Sequence, residues 1–462
     1  MNQPIKLRSS IYPSPLQLST KYGDCIANFT NERAYIPLDL VHFFPESESQ
    51  RLQSNSRLNK NTQYNHEKQS SVCKGFLLSG PRERVAFKGE EVRAALVTCG
   101  GLCPGLNDVI RSIVHCLWDR YGVREIIGFR YGYYGLGKQG YKSHSPISLN
   151  PKIVQNIHHL GGSFLGSSRG SPSLVEQINT LEKLKINQLY CIGGDGTMRG
   201  AKALAEGLKE RGIDLHVIGV PKTIDNDLPF VEKTFGFETA VAKAVEAVRA
   251  AKIEASSGLR GVGLVKLMGR HAGFIAAHAA IASREADLVL VPELPFQYGK
   301  IDRGTDGILP YLQKVLEDKG EAVIIVAEGV GQGQSYQPSL SRLETKDASG
   351  NQKLGDVGLM LKDLLIKSFN ESKQSINLKY IDPSYMIRAT TVSSADAHFA
   401  AQLAEDAVHA AMAGFSETLI GSWGGVGTLV PFTMLESSKQ LNLDQQIWRQ
   451  ALEATGQPSI LN

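Results

Sequence analysis

The chain has 462 residues, 42% of them hydrophobic and 21% charged, the balance of a soluble globular protein long enough for two or three domains. Fifty Lys and Arg stand against 46 Asp and Glu, and a net charge of +4 gives no basis for a nucleic-acid partner. No stretch approaches the ~20 apolar residues of a membrane span, so no membrane association is expected.

The six cysteines, Cys25, Cys73, Cys99, Cys103, Cys116 and Cys191, form no CxxC pair and read as reduced thiols of a cytoplasmic protein. A redox role for Cys99 and Cys103, which flank GGL, is the less favoured alternative. The start, MNQPIKLRSS, lacks the apolar core of a secretory signal. Lys6, Arg8 and Lys21 precede the first acidic residue, Asp24, so a plastid or other organellar leader stays open beside the cytoplasmic reading.

Residues 46–71 carry almost no apolar side chains and cannot offset their own ordering entropy by burial. Residues 1–90 therefore read as a partly flexible N-terminal extension. From Val92 the texture changes: VRAALVTC is a short apolar strand, a Gly-rich turn follows, and LNDVIRSIVHCLWDRY is a helix. EIIGFRY and QLYCIGG are strands, TMRGAKALAEGLKERG is a helix ending at Gly212, and LHVIGV is a further strand. After Phe230 come the helix AVAKAVEAVRAAKIEA, the strand RGVGLVKLM, the helix AGFIAAHAAIASR, the strands ADLVLVPEL and AVIIVAEGVGQG, and the long helix HFAAQLAEDAVHAAMAG.

Strands alternating with helices predict mainly parallel sheets. The expected fold is α/β, with two Rossmann-like three-layer lobes, a cleft between them and the N-terminal extension. One lobe covers 91–232 and is completed by about 390–450; the other covers 233–389.

Ligands of parallel sheets collect at the carboxyl ends of strands, and three loops follow strands of the first lobe. CGGLCPGLND has paired glycines that let backbone approach a ligand, and a helix start that offers free N–H groups to an anion. Alone it is as well read as a plain turn. In GGDGT, glycines flank Asp195 and leave room for phosphates, so the carboxylate stands where phosphate oxygens and a divalent cation would meet. The competing reading is Asp195 as a helix cap.

PKTIDNDLPF places Lys222, Thr223, Asp225 and Asp227 where a buried strand ends. If 223–227 is extended, Thr223, Asp225 and Asp227 share a face, with the carboxylates about 6–7 Å apart. Their repulsion of about 2.5 kcal/mol would call for a cation. Arg169, Arg270 and Arg388 each follow a Gly-, Ser- or Pro-containing turn and offer two-pronged donors to phosphate. GxxxxGK[ST] does not occur.

Together VTCGGLCPGLNDVIR, GGSFLGSSRG, IGGDGT, PKTIDNDLPF, KTFGFETA, VKLMGR, VPELPF and KYIDPSYMIRA occur in the order of the 6-phosphofructokinase family, across about residues 80–460. The chain most resembles the ATP-dependent branch of plants and trypanosomatids. The resemblance implies transfer of the ATP γ-phosphoryl group to O1 of fructose 6-phosphate, with Mg²⁺, by a homotetramer under allosteric control.

It also implies residue roles. Asp225 is the general base, Asp195 the metal ligand, and Asp227 a support for the metal and the transferred group. Thr223 binds near the C1 end of the sugar. Gly101, Arg169, Gly194, Gly196, Thr197 and Gly200 contact ATP. Met268, Gly269 and Arg270 contact the sugar phosphate, with Arg270 also near the transferred group. Glu293 matches a ligand of sugar hydroxyls, and Tyr385 and Arg388 match ligands of the 6-phosphate. The first lobe is then the nucleotide lobe and the second the sugar-phosphate lobe.

Two departures stand out. Lys222 is typical of pyrophosphate users, yet those also carry Asp at the position of Gly196, and Gly with Lys is the pairing of the plant-like ATP branch; a pyrophosphate-dependent enzyme is the alternative. Bacterial members place at the position of Gly261 an arginine that reaches a neighbouring subunit's sugar phosphate, whereas here Arg260 is one residue off, which in a strand reverses the face. A NAD or lipid kinase, which would share GGDGT but carry a β-rich second domain, and a non-catalytic sugar-phosphate-binding relative fit the motif set less well.

Overall fold

A computed structural model of the chain describes residues 6–7, 12–13, 35–37, 75–168, 170–301, 307–332, 354–435 and 438–459. The polar stretch 46–71, Cys25, Cys73 and Arg169 lie outside them. The chain divides into two compact units, the first made of 1–223, 228–235 and 394–437, the second of 224–227, 236–393 and 438–462.

The first unit holds a nine-stranded sheet. At its centre Glu125–Gly128, Arg93–Thr98, Gln188–Gly193, His216–Pro221 and Thr418–Trp423 run side by side and parallel. Every residue of Gln188–Gly193 and His216–Pro221 is buried, as strands covered on both faces require. The helix Asp195–Glu210 lays Met198, Ala201, Leu204 and Leu208 into one core with Val97, Leu189 and Val217.

Beyond Thr418–Trp423 the sheet turns antiparallel through Val426–Pro431, Gly75–Leu78 and Tyr35–Pro37. Strands 35–37 and 75–78 of the expected N-terminal extension thus join this sheet. Phe76 packs edge-on to Phe230 at 5.7 Å, and the buried Phe87 packs likewise on His216 at 5.0 Å, so residues 75–90 contribute to the first unit's core.

The second unit is built on a four-stranded sheet in the order Leu288–Leu290, Glu321–Ala327, Gly261–Leu267, Asn377–Ile381, all parallel. The helices Phe237–Ser256 and Phe274–Ser283 pack against it. The last helix, Gln446–Thr455, belongs here and not with the first unit, which ends at Ser437 where the sequence reading extended it to about 450. The reason is local: Gln457 stands in for a missing neighbour strand, accepting from Val289 N at 2.6 Å and donating to Val289 O at 3.2 Å at the sheet edge. Among the described residues no helix is long and apolar enough to cross a membrane.

Candidate active site

Because Arg93–Thr98, Gln188–Gly193 and His216–Pro221 are adjacent and parallel, with Thr98 opposite Ile192 and Gly193 opposite Pro221, the loops after them open at one end of the sheet. Main-chain bonds stitch them together: Cys99 N donates to Ile192 O at 3.0 Å and Lys222 N to Gly193 O at 2.9 Å. Lys222 is 5% exposed, and its Nζ donates to Gly101 O at 2.5 Å. The serine loop joins them through Ser167 Oγ, which donates to Gly100 O at 2.6 Å, and Ser168 O, which accepts from Gly100 N at 3.3 Å.

Gly194 occupies the N-cap of Asp195–Glu210 in an extended conformation, and no side chain caps that helix. Its first turn and dipole are thus open to an anion, apart from the Gly196 N–H that Asp195 takes up. Asp195 is the first helical residue and does not fill the capping position the competing reading gave it. Its Oδ1 accepts from Gly196 N at 2.5 Å and its Oδ2 from Arg199 Nη1 at 2.7 Å. Both side chains are well exposed, 48% for Asp195 and 60% for Arg199. Such a pair is worth roughly 0.3–0.5 kcal/mol, so Asp195 can exchange Arg199 for another cation at little cost.

No group of three or more His, Cys, Asp or Glu among the described residues forms a metal cage. Mg²⁺ takes one or two carboxylates and completes its shell with phosphate oxygens and water, and a single exposed carboxylate at a helix start fits that donor set. Thr197 is buried, and its carbonyl accepts from Tyr133 Oη at 2.8 Å. A Cβ on Gly200 would lie 2.7 Å from the Tyr133 ring, so this glycine seats the helix on Tyr133. Cys99 and Cys103 are free and buried, and burial pushes the Cys99 thiol up to about 12, which keeps it protonated and argues against a redox pair.

The segment 223–227 is not extended. Ile224 and Asp225 form a turn and the buried Asn226 is left-handed at φ 54°, a state asparagine tolerates better than most residues. The bend is held at both ends, where Thr223 O accepts from Thr234 Oγ1 at 2.6 Å and Asp227 O from Lys439 N at 2.7 Å. The expected alternation of Thr223, Asp225 and Asp227 on one strand face is therefore corrected, and with it the repulsion that presumed their spacing. Asp225 and Asp227 are both half-buried.

In the second unit Leu267 pairs with Ala327, so Met268-Gly269-Arg270 and Glu328-Gly329 leave the same sheet end together. Glu328 N donates to Leu267 O at 2.9 Å and Gly329 N to Gly269 O at 3.0 Å. Gly269 has φ +128°, and an added Cβ would fall 2.6 Å from Ala272 O. Gly269→Ala is expected to cost about 1–3 kcal/mol through backbone strain, read as a lower urea midpoint; an unchanged midpoint would mean that the turn relaxes freely. Met268 is buried and Arg270 half-buried.

On the other side of Gly261–Leu267, Asn377–Ile381 leads into the short helix Ser384–Ala389, which carries Tyr385 and Arg388. Tyr385 is 73% exposed, and the Arg388 guanidinium lies over its ring at 4.6 Å. Glu328 is a residue the sequence reading passed over. Burial raises its pKa; the positive charges of Arg270, Lys266 and Arg388 oppose that rise and the Asp382 carboxylate adds to it. The available signal was AEG at the end of the apolar run AVIIV, the same strand-end pattern used elsewhere. Glu293 is engaged otherwise: its two oxygens accept from Gly273 N at 3.0 and 3.1 Å, and Oε1 also from Leu441 N at 2.8 Å.

Arg260 precedes its strand in a left-handed conformation, φ 50°, and donates to Gln374 Oε1 at 3.0 Å. At Gly261 an added Cβ would lie 1.9 Å from Ala255 O, so an arginine at 261 does not fit this backbone.

Two α/β units with Gly, Asp, Lys and Arg gathered at parallel strand ends define a phosphate-handling class of protein. The chain matches the family model described as phosphofructokinase over residues 93–411, and it belongs to that family. An ATP-dependent 6-phosphofructokinase of Borreliella burgdorferi is 43% identical, over 91% of this chain and 94% of its own. That of Trypanosoma cruzi is 48% identical over 82% and 76%, and the chloroplastic ATP-dependent 6-phosphofructokinase 5 of Arabidopsis thaliana 45% over 83% and 69%. Among solved structures, a pyrophosphate-dependent phosphofructokinase of Marinobacter aquaeolei aligns with a TM-score of 0.62 at 21% identity, covering 79% of this chain and 91% of that one. The Pichia pastoris phosphofructokinase aligns at 0.59 and 22%, covering 75% and 35%. These structural likenesses speak to the fold alone.

Proposed function

We propose that the chain is an ATP-dependent 6-phosphofructokinase, transferring the γ-phosphoryl group of ATP to O1 of fructose 6-phosphate to give fructose 1,6-bisphosphate and ADP. The observation that carries this reading is the convergence of the Gly101, Asp195 and Lys222 loops at one sheet end, with an uncapped helix start beside them. Relatives named for the ATP reaction, 43–48% identical, support ATP as donor, as does Gly196, exposed and without a side chain where pyrophosphate users carry Asp.

The assignments follow the chemistry. Backbone N–H groups of Gly194 and Thr197, and of Gly196 once Asp195 turns to the metal, bind the nucleotide phosphates with Gly101 and Arg169, while Gly200 serves mainly to seat the helix. Asp195 is the ligand for Mg²⁺, with Asp227 supporting it; the ion would neutralise phosphate charge when bound. Met268, Gly269 and Arg270 orient the sugar phosphate, and Tyr385 and Arg388 take its 6-phosphate. Glu328, which leaves the same sheet end as Met268-Gly269-Arg270, is a better candidate than Glu293 for the sugar hydroxyls, because main-chain donors already hold Glu293.

Thr223 borders the C1 end. Asp225 accepts the O1 proton as O1 bonds to the γ-phosphorus and the bond to the bridging oxygen of ADP breaks. Phosphoryl transfer asks for positioning and charge neutralisation more than covalent help, which is what this residue set supplies. A homotetramer and a cytoplasmic setting complete the proposal. A coupled assay with fructose 6-phosphate at matched ATP and pyrophosphate tests it. Turnover with ATP is expected, and turnover with pyrophosphate alone would overturn the donor assignment.

A further inference from the structure

We propose that Lys266 is a positioning residue for sugar-phosphate binding, holding the short helix that carries Tyr385 and Arg388 in register with the strand that leads into Met268-Gly269-Arg270. The proposal rests on the reading above that these residues receive the sugar phosphate.

Lys266 is the next-to-last residue of Gly261–Leu267 and the one residue of that strand that is not fully buried. Its side chain is 12% exposed, and Nζ lies 2.8 Å from Asp382 Oδ2 and 3.0 Å from Asp356 Oδ2. Each aspartate divides its oxygens the same way. Asp382 Oδ1 accepts from Ser384 N at 3.1 Å and Ser384 Oγ at 2.5 Å, fixing the turn that starts Ser384–Ala389. Asp356 Oδ1 accepts from Leu359 N at 3.1 Å, capping Val357–Glu371, and from Tyr380 Oη at 3.2 Å.

One ammonium thus joins a strand end and two helix starts. Its charge also acts on Glu328. The ammonium is largely out of water while the carboxylates keep 37% and 32% exposure, and partly solvated pairs of this kind add little net stability, so stability alone gives little reason to prefer lysine here. What the arrangement fixes is geometry. Without Lys266 the two carboxylates face each other uncompensated, and the nearer way to separate them is to shift the 382–388 turn, which moves Arg388.

The test is Lys266→Met, read by the KM for fructose 6-phosphate and by calorimetric binding of fructose 6-phosphate. A misplacement on the order of 1 Å costs up to about 10²-fold, so a rise of roughly 10- to 100-fold in both is expected, with the KM for ATP unchanged and Lys266→Arg recovering most of the loss. Lys252→Met serves as the comparison. It breaks an ion pair of 2.6 Å with Glu321, at the other end of the same sheet, and is expected to leave sugar-phosphate affinity at the wild-type value.

Wild-type affinity in Lys266→Met overturns the positioning role, and so does an equal loss in Lys252→Met, which would reduce the effect to stability. Should Lys266→Met not fold, Asp382→Asn carries the same expectation, and unchanged binding there overturns it. A wild-type protein that binds no fructose 6-phosphate removes the underlying reading together with the proposal.

Discussion

Asp225→Asn should lower turnover by about 10²- to 10⁴-fold while leaving ATP affinity where it was. The replacement keeps the size of the side chain and removes its ability to accept a proton. The loops proposed to bind the nucleotide belong to the first unit and are held by their own bonds, Lys222 N to Gly193 O and Lys222 Nζ to Gly101 O among them. Neither of these two bonds involves the Asp225 carboxylate. Single-turnover measurement of phosphoryl transfer, with ATP affinity measured separately, distinguishes the outcomes. A loss confined to the chemical step supports the base. If Asp225 only holds the turn at Ile224–Asp225, the melting temperature falls and sugar affinity falls with it. Wild-type turnover removes Asp225 from the proposed role.

The difference between what was and was not legible in the sequence has physical causes. Gln188–Gly193, His216–Pro221 and Glu321–Ala327 are covered on both faces, so they read as unbroken apolar runs bounded by Gly or a charge. Their loops were legible for the same reason, since parallel neighbours bring their carboxyl ends together wherever they lie in the chain. Gly75–Leu78 was lost in the extension because a four-residue antiparallel strand is too short to establish a period. Asn377–Ile381 is only partly covered, and NLKYI has neither an apolar run nor a clean alternation.

At the site, the bend through Asn226 depends on Thr234 and Lys439, partners that no local pattern reveals. Lys266 had the same problem. In VKLM it looks like the outward residue of a half-exposed strand, and only the fold brings Asp356 and Asp382 to it. Residue types at strand ends were therefore readable, while the directions of their side chains were set by contacts distant in sequence.

Gly196→Asp is expected to weaken ATP binding by about 10²- to 10³-fold without harm to the fold. Space is not the obstacle. Gly196 is exposed, and an added Cβ would meet only Arg199 Nη2, at 3.7 Å, an ordinary contact. An acidic residue in the first turn of Asp195–Glu210 is even favoured by the helix dipole, by roughly 0.3–1 kcal/mol, so the melting temperature should hold or rise slightly. The penalty falls on the ligand. A second carboxylate next to Asp195 turns a helix start that attracts anions into one that repels them, and one added charge about 4 Å from a phosphate is worth about 4 kcal/mol at an effective dielectric near 20. Pyrophosphate has no α-phosphate to be repelled, so the ratio of pyrophosphate to ATP turnover should shift toward pyrophosphate. Fructose 6-phosphate affinity should stay put, because its proposed ligands Arg270, Tyr385 and Arg388 lie in the other unit. If the variant keeps its wild-type ATP KM, the nucleotide phosphates do not lie at this helix start, and the roles of Gly194, Asp195, Gly196 and Thr197 must be assigned anew.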